Sequence, residues 1–116
     1  MPKNGNQIIC DLSIFTDEDR EQHMQLGQEI FAKVCEVQET DSGYALRLPD
    51  EDGIILKLAA FINNDRRCCQ FIHFDLTVKS YSKGIWLTMK GDSDEAKATI
   101  QGELMGLVSD SVSNTQ

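Results

Sequence analysis

The chain has 116 residues, a formal net charge of −8 and four cysteines, which is typical of one small acidic domain. A chain of this length buries ~65% of its unfolded surface on folding, so it needs neither disulfides nor a structural metal. The negative charge argues against nucleic acid and membrane partners, because phosphate backbones and anionic lipids are bound through a basic face.

The sequence predicts a cytoplasmic protein. It has no segment of the secretory-leader type and no apolar run of the ~20 residues that span a bilayer. In a reducing compartment, the four cysteines are expected as thiols or metal ligands rather than disulfides. They are Cys10, Cys35, Cys68 and Cys69.

One α+β domain is predicted over residues 8–108, between a flexible N-terminus (1–7) and a flexible tail (109–116), both polar. Residues 8–12 are a candidate opening strand. Thr16, followed by three acidic residues, predicts the start of the first helix, which ends near Cys35. Its inner stripe is His23, Leu26, Ile30, Phe31 and Val34.

Two hairpins are predicted, each followed by a helix. Residues 36–40 and 43–49 flank an Asp-Ser-Gly turn, and the helix after them runs from the acidic residues 50–52 to about Arg67. Its apolar stripe is Ile54, Leu58, Phe61 and Ile62. The second hairpin alternates Phe74, Leu76 and Val78 on one strand with Ile85, Leu87 and Met89 on the next.

The last helix is predicted to start in a capping box formed by Asp92 and Glu95. Its inner face is Ala96, Ile100, Leu104 and Leu107. The order is therefore α-ββ-α-ββ-α, an antiparallel sheet of about four strands with helices on one face. Residues 43–48 can be aligned with 84–89, as a duplicated ββα unit would require, although unrelated ββα units also look alike.

Five short motifs cover most of residues 10–91. They are Cys10-Asp11-Leu12, Arg20 with His23, Gly43-Tyr44-Ala45-Leu46-Arg47-Leu48-Pro49, Arg66-Arg67-Cys68-Cys69-Gln70-Phe71 and Trp86-Leu87-Thr88-Met89-Lys90-Gly91. In these motifs the chain resembles a family of small bacterial proteins of unknown function. The resemblance implies the domain but no activity. Gln70 stands where the family pattern has proline, and Asp65 stands beside the position of a glutamate.

The adjacent Cys68 and Cys69 are the strongest candidates for chemistry. They lie seven residues after Phe61 and Ile62, so they also prolong the apolar stripe and are explained equally well as core thiols. Thiolates prefer soft ions, namely zinc, Cu(I) or heavier metals. Adjacent side chains tend to diverge, however, and zinc pairs are usually two to four residues apart.

Further metal ligands must therefore come from elsewhere in the chain. Cys10 and His73 complete the predicted metal site with Cys68 and Cys69, and Cys10 serves only if it lies beside the end of the second helix. His23 is more readily explained as a hydrogen-bonded core histidine.

Catalysis by the cysteines is disfavoured. Arg66 and Arg67 would lower the pKa of a neighbouring thiol, while the helix C-terminus would raise it. The chain has no Cys-x-x-Cys motif and no histidine that is marked as a base. A reversible disulfide between the vicinal cysteines remains an option for a redox sensor.

The other face of the sheet carries Arg47 and Trp86, which suggests an interface and a homodimer. A shift of one residue in strand register would instead bury the tryptophan. The main hypothesis is an uncharacterised, non-enzymatic domain that binds a soft metal. The alternatives are a homodimeric structural or interaction module with core thiols, and a thiol redox sensor.

Overall fold

The computed structural model describes residues 10–112, with side chains over residues 10–106. It confirms the predicted α+β order. A short 3-10 helix, Leu12–Ile14, precedes three helices and four strands. These are α1 (Asp17–Ala32), β1 (Glu36–Glu39), β2 (Gly43–Leu48), α2 (Ile54–Cys68), β3 (His73–Val78), β4 (Ile85–Lys90) and α3 (Asp94–Val112).

The four strands form one antiparallel sheet in the order β1-β2-β4-β3. The two hairpins therefore meet along β2 and β4, where Leu46 pairs with Leu87. Both leucines are 0% exposed. They are also equivalent in the alignment of residues 43–48 with 84–89, so the observed register is compatible with a two-fold relation between the ββα units.

The helices cover one face of the sheet, as predicted from the alternating strands. Inward-facing strand residues and the apolar helix stripes make up the core. Its fully buried side chains are Ile30, Phe31, Leu46, Leu48, Ile54, Leu58, Ile85, Leu87 and Ile100.

Gly43 lets β2 and β4 approach closely. A Cβ atom at this position would lie 1.9 Å from the Met89 carbonyl oxygen, a distance that no real contact reaches. Any side chain here would have to push the central strands apart.

The predicted helix starts are partly corrected. Thr16 caps α1, since its side chain accepts a hydrogen bond from the Asp19 amide at 3.1 Å. The capping box predicted from Asp92 and Glu95 is wrong: Ser93 Oγ accepts from the Ala96 amide at 3.1 Å instead. Serine is as good an N-cap as aspartate, so the local sequence did not discriminate between them.

The acidic residues before α2 do not lie in its first turn. The helix begins after Gly53, which has a φ of 83°. Asp50 accepts a hydrogen bond from the Ser82 amide at 2.7 Å, and Glu51 forms an ion pair with Lys33 at 2.8 Å. These carboxylates therefore bind neighbouring loops and helices rather than the dipole of α2.

Helical segments lie at both ends of the described chain. The opening strand is not formed over residues 10–12, because the chain enters the 3-10 helix there; residues 8 and 9, like the predicted flexible segment 1–7, lie outside the described residues. At the other end, α3 continues to Val112, into the segment predicted as a flexible tail. Within the described chain, none of the helices has the length and apolar character needed to cross a membrane.

Candidate functional site

A disulfide joins Cys10 to Cys69, 59 residues apart in sequence. The expectation that all four cysteines are thiols or metal ligands is therefore wrong for this pair. The Asp11 amide donates a hydrogen bond to the Cys68 carbonyl oxygen at 2.7 Å, which lays the N-terminal segment against the end of α2. Cys10 thus lies beside the vicinal pair, the arrangement on which its predicted role depended.

The side chains of Cys68 and Cys69 do not diverge, contrary to expectation. Their Sγ atoms are 3.6 Å apart, and each residue is 2% exposed. Cys68 is the last residue of α2, whereas Cys69 has left the helix, with a φ of −111° and a ψ of 72°. This change of backbone direction turns the second thiol towards the first.

Asp65, one helical turn before the cysteines, connects the vicinal pair to α1. Its buried Oδ1 lies 3.7 Å from Cys68 Sγ and 3.8 Å from Cys69 Sγ. The same oxygen accepts a hydrogen bond from His23 Nε2 at 3.0 Å. One carboxylate oxygen is therefore shared by two sulfur atoms and an imidazole.

His23 is buried between two aromatic rings. Its ring stacks on Phe61 at a centroid distance of 5.1 Å and lies 5.4 Å from the ring of Phe15. Its Nδ1 is buried and has no hydrogen-bond partner among the described side chains. The predicted core histidine is thus hydrogen-bonded through one nitrogen and unpaired at the other.

Glu103 of α3 closes the other side of the cysteine cluster. Its Oε2 lies 3.1 Å from Cys10 Sγ. A disulfide sulfur carries no proton, so a hydrogen bond here requires the carboxylic acid form of Glu103 as donor. Although much of the residue is exposed, burial of its carboxyl group and the negative charge of Asp65 raise the pKa of Glu103, which favours that form.

Cys68 is the free thiol of the cluster. Burial, followed by the negative charge of Asp65, raises its pKa to about 12. A thiol with such a pKa stays protonated near neutral pH, so it reacts as a nucleophile only if a neighbouring group takes its proton.

The cluster borders a cavity of about 310 Å³ between the helices. Its walls are mostly apolar and include Gly27, Phe31, Phe61 and Leu104, with the sulfur and carboxyl atoms on one side. Convergent polar groups in a largely apolar cavity are the usual arrangement of a small-ligand site.

Six potential donor groups form two triplets, each with ligand atoms within 4.8 Å of one another. One consists of Cys10, Cys69 and Glu103, and the other of His23, Asp65 and Cys68. Asp65 and Glu103 were missed by sequence reasoning. Asp65 could have been found, because it lies three and four residues before the cysteines on one helix face, whereas nothing local marks Glu103.

His73 lies outside both triplets. It is exposed at the start of β3, and its Nε2 is 3.0 Å from Asp92 Oδ2. Cys35 is also an exposed thiol outside the triplets. The structure thus brings Cys10 to the vicinal pair and leaves His73 elsewhere.

The predicted interface residues are neighbours on the face of the sheet opposite the helices. Arg47 pairs with Trp86 across β2 and β4, and both are half-buried. Arg47 Nε also contacts Glu36 Oε1 at 3.1 Å. A homodimer through this face remains a prediction.

Comparison with known proteins gives no relative: no family model, no curated protein and no solved structure matches the chain. The resemblance to small bacterial proteins therefore stays an expectation.

Proposed function

We propose that the reduced protein binds one soft metal ion, zinc, Cu(I) or a heavier metal, through Cys10, Cys68 and Cys69. Asp65 supplies the fourth ligand. The role is non-enzymatic, and the bound ion is held inside the domain between α2 and the N-terminal segment.

The separations among three of these ligand atoms carry the proposal. The Sγ atoms of Cys68 and Cys69 are 3.6 Å apart. Asp65 Oδ1 lies 3.7 Å from the Sγ of Cys68 and 3.8 Å from the Sγ of Cys69. Tetrahedral zinc, with Zn–S of about 2.3 Å and Zn–O of about 2.1 Å, needs about 3.8 Å between sulfurs and about 3.6 Å from sulfur to oxygen. One face of a tetrahedron is therefore already assembled.

Cys10 would supply the remaining ligand of the tetrahedron, opposite the face formed by Cys68, Cys69 and Asp65. It is bonded to Cys69 in the oxidised form. The backbone hydrogen bond from Asp11 to Cys68 does not involve sulfur, so we expect it to keep the Cys10 segment near α2 after reduction. Three sulfur ligands would favour soft ions over magnesium or calcium, which prefer oxygen.

His23 supports the site by holding Asp65. A ligand carboxylate that accepts a hydrogen bond from a buried group keeps its orientation, and such partners commonly change metal affinity 10–100-fold.

Metal titration of the reduced protein tests this proposal. Cd²⁺, added under argon to protein freed of its disulfide, is expected to bind one ion per chain and to give thiolate-to-metal charge-transfer absorbance. Replacing Cys10, Cys68 or Cys69 by serine should remove that absorbance or weaken binding by more than about tenfold. Native mass spectrometry gives the stoichiometry.

Two matched variants serve as controls. Cys35→Ser removes an exposed thiol and His73→Asn removes an exposed imidazole, and both residues lie outside the donor triplets. Both variants should bind Cd²⁺ like the parent. Equal loss in Cys35→Ser, or no bound ion in the reduced parent, would refute the site.

The disulfide favours a second candidate, the thiol redox sensor. In cytosolic proteins, disulfides are usually transient and either catalytic or redox-sensing. The two functions are compatible, because oxidation consumes two of the three sulfur ligands. The untreated, disulfide-bonded protein should accordingly bind Cd²⁺ far more weakly than the reduced protein.

A further inference from the structure

The free thiol of Cys68 lies in direct contact with the Cys10–Cys69 disulfide. Cys68 Sγ is 3.6 Å from Cys69 Sγ, and Cys69 is bonded to Cys10. Reacting atoms in near-attack arrangements are about 3–3.5 Å apart. The free sulfur is therefore almost at reacting distance from one end of the bond.

We propose that Cys68 is an internal nucleophile that displaces Cys10 from the Cys10–Cys69 disulfide, so that the protein interconverts two disulfide isomers. The second isomer has a vicinal Cys68–Cys69 bond and a free Cys10 thiol. This reaction rests on the disulfide-bonded chain and involves no metal.

The step balances with groups already present. The Cys68 thiol gives its proton to the Asp65 carboxylate, whose Oδ1 is 3.7 Å away, and the thiolate bonds to Cys69 Sγ. The Cys10–Cys69 bond breaks, and its electron pair leaves with the Cys10 sulfur. That sulfur takes a proton from the Glu103 carboxylic acid, 3.1 Å away. One thiol and one disulfide exist before and after, so no oxidant or reductant is consumed.

The two isomers differ in which thiol can be reached. Cys68 and Cys69 are each 2% exposed, whereas Cys10 is half-buried at the mouth of the cluster. Exchange therefore transfers the free thiol from the interior to the most accessible of the three positions. There it can react with electrophiles or with disulfides of small molecules.

The vicinal isomer is expected to be the minor one. Adjacent Cα atoms lie about 3.8 Å apart, which is too close for an unstrained disulfide. An alkylating reagent that traps Cys10 should nevertheless draw the equilibrium forward.

Trapping with N-ethylmaleimide under native conditions, without reductant, tests the exchange. The parent is Cys35→Ser, which removes the exposed thiol, and the Cys10–Cys69 linkage is verified before labelling. Tryptic peptides 4–20 and 68–79 separate Cys10 from the vicinal pair. The linked peptides should give way to alkylated 4–20 and to 68–79 that is two hydrogens lighter, at a rate independent of protein concentration.

Replacing Cys68 tests the nucleophile. Cys10 labelling should be slower by at least about tenfold in Cys68→Ala, and Cys68→Ser provides a second variant of similar size to cysteine. Far-UV circular dichroism and retention of the Cys10–Cys69 linkage confirm that each variant folds. Three results would each overturn the exchange. Cys10 could be labelled at the same rate with and without Cys68, or it could remain unlabelled. Alternatively, Cys68 could be alkylated while the original disulfide stays intact. Because the chain is oxidised and metal-free throughout, these results leave the proposed metal site untouched.

Discussion

His23 and Asp65 form a buried polar pair within an otherwise apolar region. The histidine lies between Phe15 and Phe61, and the aspartate faces two sulfur atoms. A buried carboxylate retains its place only while its hydrogen bonds are made. The imidazole of His23 therefore stabilises both the fold and the geometry of the cysteine cluster.

Replacing His23 by leucine should destabilise the protein. The substitution keeps an apolar side chain between the rings but removes the Nε2 hydrogen bond to Asp65. The buried Asp65 carboxylate is then left without this hydrogen bond, which should lower the free energy of unfolding by about 1–3 kcal/mol. Chemical denaturation measures this change. Asp65→Leu in the same background should recover part of that loss, and strictly additive effects would contradict the pairing.

At the scale of elements, β2 and β4 depend on one close approach. The two hairpins meet where these strands pair, and Gly43 lies at one end of that pairing, opposite Lys90. The space for a Cβ atom at Gly43 is already occupied by the backbone of β4. Backbone cannot give way as a flexible side chain can, so the requirement for glycine is steric.

Gly43→Ala should therefore destabilise the fold by ~1–3 kcal/mol, the usual cost of overpacking. Gly102→Ala is the matched control, because Gly102 lies in α3 and, apart from the neighbouring backbone of its own helix, no described atom lies within 4 Å of the added Cβ. That change should stabilise the helix by about 0.5–1 kcal/mol. Thermal denaturation of both variants measures these changes in stability. A Gly43→Ala variant as stable as the parent would contradict the observed separation of β2 and β4.

The helices and hairpins were predictable from sequence because each arises from local periodicity and turn chemistry. The candidate site was only half predictable. Cys68 and Cys69 are visible as a pair, but Cys10 and Glu103 reach them through tertiary packing. The side chains of these adjacent cysteines were expected to diverge, but they do not, because α2 ends at Cys68 and Cys69 lies outside it. Sequence patterns do not locate the end of a helix to within one residue.

At the scale of the whole molecule, the disulfide closes a long loop. It links residues 59 apart, so α1, β1, β2 and α2 lie within one covalent ring, while β3, β4 and α3 lie outside it. The sheet order places β4 beside β2, and the two parts of the chain therefore share one sheet. Cross-linking one part should stabilise the whole domain.

Reduction should lower the free energy of unfolding by ~4 kcal/mol, the value expected from loop-closure entropy for a ring of this length. Cys10→Ser should produce a similar loss without reductant. Cys35→Ser, which removes the exposed thiol, should leave the denaturation midpoint unchanged. Identical midpoints for the oxidised and reduced proteins would show that the disulfide does not form in solution.

The backbone hydrogen bond from Asp11 to Cys68 has a consequence for the reduced protein. It holds the N-terminal segment against the end of α2 without help from sulfur, so Cys10 and Cys69 keep a high effective concentration towards each other after the bond is broken. Opening and closing of the disulfide should therefore be an intramolecular event. If the proposed metal site exists, the same sulfur atoms would alternate between bonding to each other and binding an ion.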